Sequence, residues 1–407
     1  MKMLLRYRPL CWISVAAWMI ASGAASAQPS PAGPGSSLKK PATGQLSPRE
    51  RVLRLGDDDF TVREQAAAKL LEAGASAVAA LEEGAVSNDR EIRYASQRLL
   101  AAIRRSAFEE RLAAFARDGE EAVGGQLPAW DVYRQLLGNS EQSRQLFVEM
   151  QRAEPQLLAA IDKGRREAAY QTNLRCEVLQ REMQVYNREI SLATVASLLL
   201  AAGHPQVVLP QQSGSLLYSY CYQGGVRAAL AGGDYEPQVR KLLGRYIAQS
   251  DDTTAYQGLV LATQYEIKEG LEPALRILRD TNQQPYAIQF AILAIARLGD
   301  KQQMEAVEPF LADATHVTHR RVGDDNRLVA VQVRDVALAA LVHLSGQDYR
   351  DYGYRHIQPN PQTVFTANSA CFENDADREK AVQRWRDYRA GKLKDADKPK
   401  DASDAQG

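Results

Sequence analysis

Apolar residues return every third or fourth position through most of this chain, the spacing that gathers them on one side of an α-helix. Asp57-Asp58-Asp59 precedes Val62-Arg63-Glu64-Gln65-Ala66-Ala67-Ala68-Lys69-Leu70-Leu71, Gly74 interrupts the run, and Ala75 to Glu83 predicts a second, shorter helix. Asn88-Asp89 then precedes Ile92-Arg93-Tyr94-Ala95-Ser96-Gln97-Arg98-Leu99-Leu100, so that Val62-Arg63 recurs as Ile92-Arg93. The step from Val62 to Ile92 is of the size that predicts an array of helix pairs. Asp or Asn before each helix serves its free amides and suits the positive end of its dipole, Ala lets helices approach closely, and Leu fills the space between them.

A second array begins near Thr253. Ala255 to Ile267 pairs with Leu271 to Arg279 across Gly270, and Tyr286 to Leu298 pairs with Met304 to Leu311 across Gly299-Asp300. The first-helix pattern returns at Val333-Arg334-Asp335-Val336-Ala337-Leu338-Ala339-Ala340-Leu341. Such a pair exposes apolar faces on both sides and needs stacked neighbours. Residues 106–252 depart from the repeat. Leu179, Met183, Tyr186 and Ile190 share a face of a long helix from about Thr172, Ile190 to Ala202 predicts the next, Pro210 to Ser215 a loop, and Leu216 to Leu230 a further helix. At His316 to Val333 the period changes to two: Val329, Val331 and Val333 alternate with Leu328, Ala330 and Gln332 beyond the turn signal Gly323-Asp324-Asp325-Asn326, which predicts an inserted β-hairpin. Near the end, Asn374-Asp375-Ala376-Asp377 opens a helix on which Ala381, Trp385 and Tyr388 share one face, a cap for the last apolar surface.

These residues resemble HEAT-like repeats, in which a hydrophobic-Arg pair is followed by an Ala-x-x-x-Leu step. More narrowly, LGDDDFTVREQAAAKLLEAG together with VRDVALAALVHLSGQDYRDYGY, an export signal and a Trp-containing terminal helix resembles a family of secreted, uncharacterised HEAT-like proteins of planctomycete-type bacteria. That resemblance implies a fold and export, and no activity. The expected fold is therefore all-α, a HEAT-like α-solenoid of stacked helix pairs with an irregular helical middle and one inserted β-hairpin.

Composition agrees with this class. Of 407 residues 61 are Ala and 44 Leu against 29 aromatics, so helix formers outweigh strand formers. Fifty Lys plus Arg match fifty Asp plus Glu, which leaves no general field to gather nucleic acid. Lys2, Arg6 and Arg8, the apolar Leu10 to Ile20 and Ala25-Ser26-Ala27 together read as a secretory signal cleaved before Gln28. The competing reading is an uncleaved anchor over Leu10 to Ala27. Cys11 stands at the wrong end of the apolar stretch for a lipoprotein. Without residues 1–27 the net charge is minus three. The expected organisation is signal peptide 1–27, flexible Pro/Gly/Ser tether 28–47, N-terminal HEAT-like repeats 48–115, irregular helical module 116–252, C-terminal repeats 253–345 with the hairpin near 316–333, loop and capping helix 346–390, and disordered tail 391–407.

Candidate chemistry is sparse. His316 and His319 with Asp324 and Asp325 are donors zinc accepts, but i and i+3 of an extended strand face opposite ways, so both imidazoles meet only if the segment is not a strand; solvated turn residues are favoured. His204, His343 and His356 have no Ser or Cys partner at a recognised spacing. Asp57 to Asp59 reads as a helix cap before it reads as a weak calcium site. Tyr218, Tyr220 and Tyr222, with Tyr349, Tyr352 and Tyr354, are a recognition surface or, on the favoured reading, largely core. Cys176, Cys221 and Cys371 remain after cleavage; one disulfide can form in three ways, and buried free thiols are favoured for Cys176 and Cys221. No nucleophile elbow, zinc-protease, phosphate-loop or EF-hand motif is present, so no catalytic, cofactor-binding or metal residue is assigned and no cofactor is expected. The function expected is a non-catalytic exported scaffold of the periplasm or cell envelope. Its partner is an unidentified protein or peptide, with no nucleic acid and no stable membrane insertion after cleavage. The alternative is a hydrolase or metal-dependent enzyme whose site leaves no motif. The chromophore lyases that share HEAT-like repeats are disfavoured by export and by the lack of a cofactor signal.

Overall fold

The computed structural model describes residues 46–119, 127–251, 253–280, 282–322 and 326–391. The expected signal peptide, the tether up to residue 45, the Gly323 to Asp325 turn and the tail beyond Gly391 lie outside the described residues. The described chain is mostly helical and divides into two compact units between Leu100 and Ala101.

The first unit holds α1 (Pro48–Leu53), α2 (Phe60–Ala73), α3 (Val78–Gly84) and the opening turns of α4 (Arg90–Asp118). Ser47 and Glu50 cap α1 reciprocally, the Glu50 amide donating to Ser47 Oγ at 3.3 Å and the Ser47 amide to Glu50 Oε2 at 2.7 Å. Helix α1 packs on α2 and α3 over Val52, Leu70, Ala77 and Leu81. Gly84 abuts α4 so closely that a Cβ there would overlap the Ser96 hydroxyl and stand 2.7 Å from Val52 Cγ1.

The helix starts near Val62 and Ile92 share their local hydrogen bonding. Asp59 Oδ1 accepts from the Thr61 amide at 2.8 Å, and Asp89 Oδ1 from the Glu91 amide at 2.8 Å. One helical turn past each cap an arginine folds back onto the incoming loop. Arg63 Nη1 donates to the carbonyls of Asp57 and Asp58 at 2.7 and 3.1 Å, and Arg93 Nη1 to those of Ser87 and Asn88 at 2.6 and 3.4 Å. Each guanidinium thus holds the carbonyls at i−5 and i−6, groups that a helix start would leave to solvent. Arg144, one turn past the Ser140 cap, likewise donates to the Asn139 carbonyl at 2.9 Å, inside the stretch whose sequence departs from the repeat.

The second unit begins within α4 and continues through α5 (Trp130–Leu137), α6 (Glu141–Ala153), α7 (Pro155–Asp162), α8 (Arg165–Tyr186), α9 (Leu192–Ala202), α10 (Gln211–Tyr220), α11 (Gly224–Leu230), α12 (Glu236–Ala248), α13 (Ala255–Tyr265), α14 (Leu271–Arg279), α15 (Pro285–Leu298) and α16 (Met304–Val307). Then come the hairpin β1 (His316–Val322) and β2 (Arg327–Gln332), α17 (Val333–Ser345), the short strands β3 (Pro359–Asn360) and β4 (Val364–Phe365), and α18 (Asp375–Arg389). Its core has two parts. One gathers around α9, buried from Ala193 to Ala202, with the ring cluster Phe115, Trp130, Tyr133 and Phe147, and it continues past residue 252 to Leu298. The other gathers around α15 and α17 and ends on Trp385, and Leu271 packs against both.

Several boundaries differ from expectation for local reasons. Pro210, expected in a loop, is the N-cap of α10, its ring fixing φ at −55°, so the helix starts at Gln211. The expected helix 216–230 is two, broken at Cys221 to Gln223. The expected helix Met304 to Leu311 keeps a single α-helical turn, because Pro309 has no amide to continue the ladder and the chain tightens to 3-10 over Glu308–Ala312. The hairpin forms as expected, with a bulge between His316 and Thr318: His316 pairs with Gln332 but Thr318 with Val331.

Candidate functional site

The bulge overturns one expectation. An extra residue on the strand breaks the simple alternation of faces, so His316 and His319 come to the same side with ring centroids 4.0 Å apart. Both are exposed. Their proposed partners Asp324 and Asp325 lie outside the described residues, and among the described residues no group of three or more metal-ligating side chains converges.

The other candidates are dispersed. His204 Nδ1 lies 3.2 Å from the Pro205 carbonyl, and partial burial followed by the charge of Arg297 holds His343 below the usual imidazole value. His356 Nε2 lies 3.3 Å from Glu373 Oε1, in a small cleft that also contains Cys371, a meeting of separate loops that no local pattern announces. Burial pushes the Cys371 thiol up and those of Cys176 and Cys221 to about 12, so these groups stay protonated and unreactive at neutral pH. All three are free and buried, with no disulfide between them. The tyrosines divide. Tyr218, Tyr220, Tyr352 and Tyr354 are buried, Tyr220 donating to the Cys176 carbonyl at 2.7 Å and Tyr352 to Gln347 Oε1 at 2.7 Å, while Tyr222 keeps 43% of its surface. Asp57 and Asp59 spend their carboxylates on local amides, Asp57 Oδ1 accepting from the Asp59 amide at 3.0 Å.

Two arrangements escaped the sequence. One is a fully buried ion pair: Asp335 of α17 accepts from Arg378 Nε at 2.6 Å, from Arg378 Nη2 at 3.2 Å and from the Gln332 amide at 2.9 Å, while the Tyr354 hydroxyl donates to its backbone carbonyl. It fastens α18 to α17. An acidic residue directly ahead of a long apolar run was the available signal. The other is an open groove of about 630 Å³ in the first unit, between α2 and α4. Arg63 and Glu64 line one wall, Arg90, Tyr94 and Arg98 the other, and Leu55 lies at its base.

No protein-family model matches the chain, and no curated protein matches it. Among solved structures it is similar to an engineered protein known from a crystal structure, at 11% identity over 85% of this chain and 99% of that one; the TM-score is 0.22, and this likeness carries no argument. Among the described residues no helix is long and apolar enough to cross a membrane.

Proposed function

We propose that the chain is an exported HEAT-like α-solenoid that serves as a non-catalytic scaffold in the periplasm or cell envelope, holding a protein or peptide partner. The observation that carries this reading is the pair of arginine clamps. Arg63 and Arg93 stand one repeat step apart, each a turn past an equivalent Asp cap, and grip loop carbonyls at the same two offsets. Equal side-chain chemistry at a fixed step is what a repeated helix pair requires, and arrays of that kind offer extended faces to partners. The groove between α2 and α4, helices one step apart, is such a face. Export rests on the N-terminal signal pattern and on its resemblance to secreted HEAT-like proteins.

The test is in vivo crosslinking followed by recovery of the tagged chain from envelope fractions, with N-terminal sequencing of the recovered protein. The expected result is a reproducible partner and an N-terminus at Gln28. Residence in the cytosol, or no partner under several growth conditions, would overturn the proposal.

A further inference from the structure

We propose that the groove between α2 and α4 binds an acidic peptide segment, one with Asp or Glu side chains flanking an apolar residue. The inference deepens the scaffold reading and rests on it. It starts from which charges in the groove are already satisfied. Arg63 donates to two loop carbonyls and faces Glu91, with Nε 3.4 Å from Oε2, so these two charges answer each other. Arg90 lies over the Tyr94 ring, its guanidinium carbon 5.7 Å from the centroid, and forms no salt bridge among the described residues. Arg98 has no ion-pair or hydrogen-bond partner among the described residues. Two guanidinium groups therefore face the groove against one remaining carboxylate, Glu64.

The excess is local. Residues 46–100 carry eight Lys or Arg and ten Asp or Glu, so the unit as a whole is acidic while this groove is not. Arg90, Tyr94 and Arg98 follow one another at i, i+4 and i+8 on the same face of α4, a stripe about 12 Å long at the helical rise. Tyr94 keeps 60% of its surface exposed at the centre of that stripe, and Phe60 at the start of α2 keeps 65%. Arg and Tyr are the side chains on which binding energy concentrates, and a guanidinium fork matches a carboxylate with two parallel hydrogen bonds. An apolar side chain against Tyr94 with carboxylates reaching Arg90 and Arg98 satisfies all three. Glu64 and Glu91 weigh against a polyanion, which would bring more negative charge than two free cations answer.

The test uses the full chain from Gln28 and three fluorescein-labelled peptides of one sequence, with the charged positions Glu, Gln or Lys, followed by fluorescence polarisation. The expected order is Glu tightest, Gln weaker by about tenfold or more, and Lys without binding, with the Glu peptide losing affinity as salt rises. Arg98→Glu and, separately, Arg90→Glu should each weaken the Glu peptide by about tenfold or more and favour the Lys peptide, Tyr94→Ala should weaken the Glu and Gln peptides alike, and Lys69→Glu, outside the groove, should change nothing. Both arginines are exposed, and circular dichroism melts confirm that each variant folds. Equal binding of the three peptides, an unchanged Glu peptide in both charge reversals, no binding at all, or displacement by a single-stranded oligonucleotide at lower concentration than the Glu peptide overturns the assignment. If Arg98→Glu still captures the envelope partner at the wild-type level, the scaffold reading stands and the groove assignment falls. If the peptides discriminate as expected and no envelope partner exists, the reverse holds.

Discussion

Replacing Arg378 with Met probes the ion pair that joins the terminal helix to the rest of the second unit. Asp335 has no exposed surface and Arg378 only 4%, so the variant leaves a carboxylate in the interior with the Gln332 amide as its one remaining donor. Removing one partner of a buried pair costs about 3–5 kcal/mol, because the survivor keeps its desolvation penalty without its counter-charge. For a unit of this size that corresponds to a fall of roughly 5–8 °C in the melting temperature. The pH dependence separates this account from simple loss of packing. Burial already pushes the Asp335 carboxyl above its ordinary value, with Arg378 opposing the shift, so without the arginine the carboxyl rises further. A carboxyl whose folded pKa lies above its unfolded value weakens the fold progressively as pH rises between the two. The deficit of Arg378→Met should therefore be larger at pH 7 than near about pH 4, where the unfolded carboxyl also takes up a proton. Pairing the change with Asp335→Asn should recover most of the loss. Urea unfolding is read from Trp130 and Trp385, the two tryptophans of residues 28–407. A deficit below about 1 kcal/mol, or one independent of pH, refutes the argument, since either would mean that the carboxylate finds water or another donor.

Three further outcomes follow from local geometry. Gly84→Ala forces a methyl group into the Ser96 hydroxyl and should destabilise the first unit by about 1–3 kcal/mol, with Ser96→Ala restoring only part of it because Val52 Cγ1 still crowds the new methyl, as measured by circular dichroism melts. Native chain from Gln28 should react with no thiol reagent and denatured chain at three cysteines; one thiol modified in the folded state would contradict the burial of Cys176, Cys221 and Cys371. Because burial and Arg297 depress the folded pKa of His343, the stability it contributes is complete above its ordinary value of about 6.5 and is lost as pH falls below it, so His343→Gln should flatten the pH profile of the melting temperature between about pH 7 and pH 5.

What the sequence disclosed and what it hid divide by the range of the interaction. Helix starts were legible because a cap acts only on the next amides along the chain: Asp59, Asp89 and Asn374 each accept an amide of the helix they precede. The burial of α15, α17 and Trp385 was legible because apolar spacing follows from helix geometry alone. The hairpin's existence followed from its alternation, but its bulge did not, since one extra residue leaves no trace in composition, and that residue decided which way His316 points. Asp335 and Arg378 lie in different helices far apart in the chain, and nothing local marks either as the other's partner. The groove likewise required knowing that Arg63 was occupied by carbonyls and Arg98 by nothing.

The Arg144 clamp bears on the repeat we propose. It has the same placement relative to its cap as Arg63 and Arg93, yet it falls off the step that separates those two. The clamp is therefore a property of a helix start with a short incoming loop, which any such start can adopt. Arg63 and Arg93 differ from Arg144 in standing a single 30-residue step apart, with the close contact of Gly84 on Ser96 between them. Removing any one of the three guanidinium groups takes a charged donor from a solvent-accessible loop carbonyl and should cost about 0.5–1.5 kcal/mol. Where the loss is felt separates the two roles, and amide exchange reads it. Arg144→Ala should loosen only the first turn of α6, whereas Arg93→Ala acts at a helix that also forms one wall of the groove and should weaken protection in both α4 and the opening of α2, joined to it through Arg63 and Glu91. Equal and purely local effects would reduce the repeat to coincident helix caps and remove the main support for a stacked array.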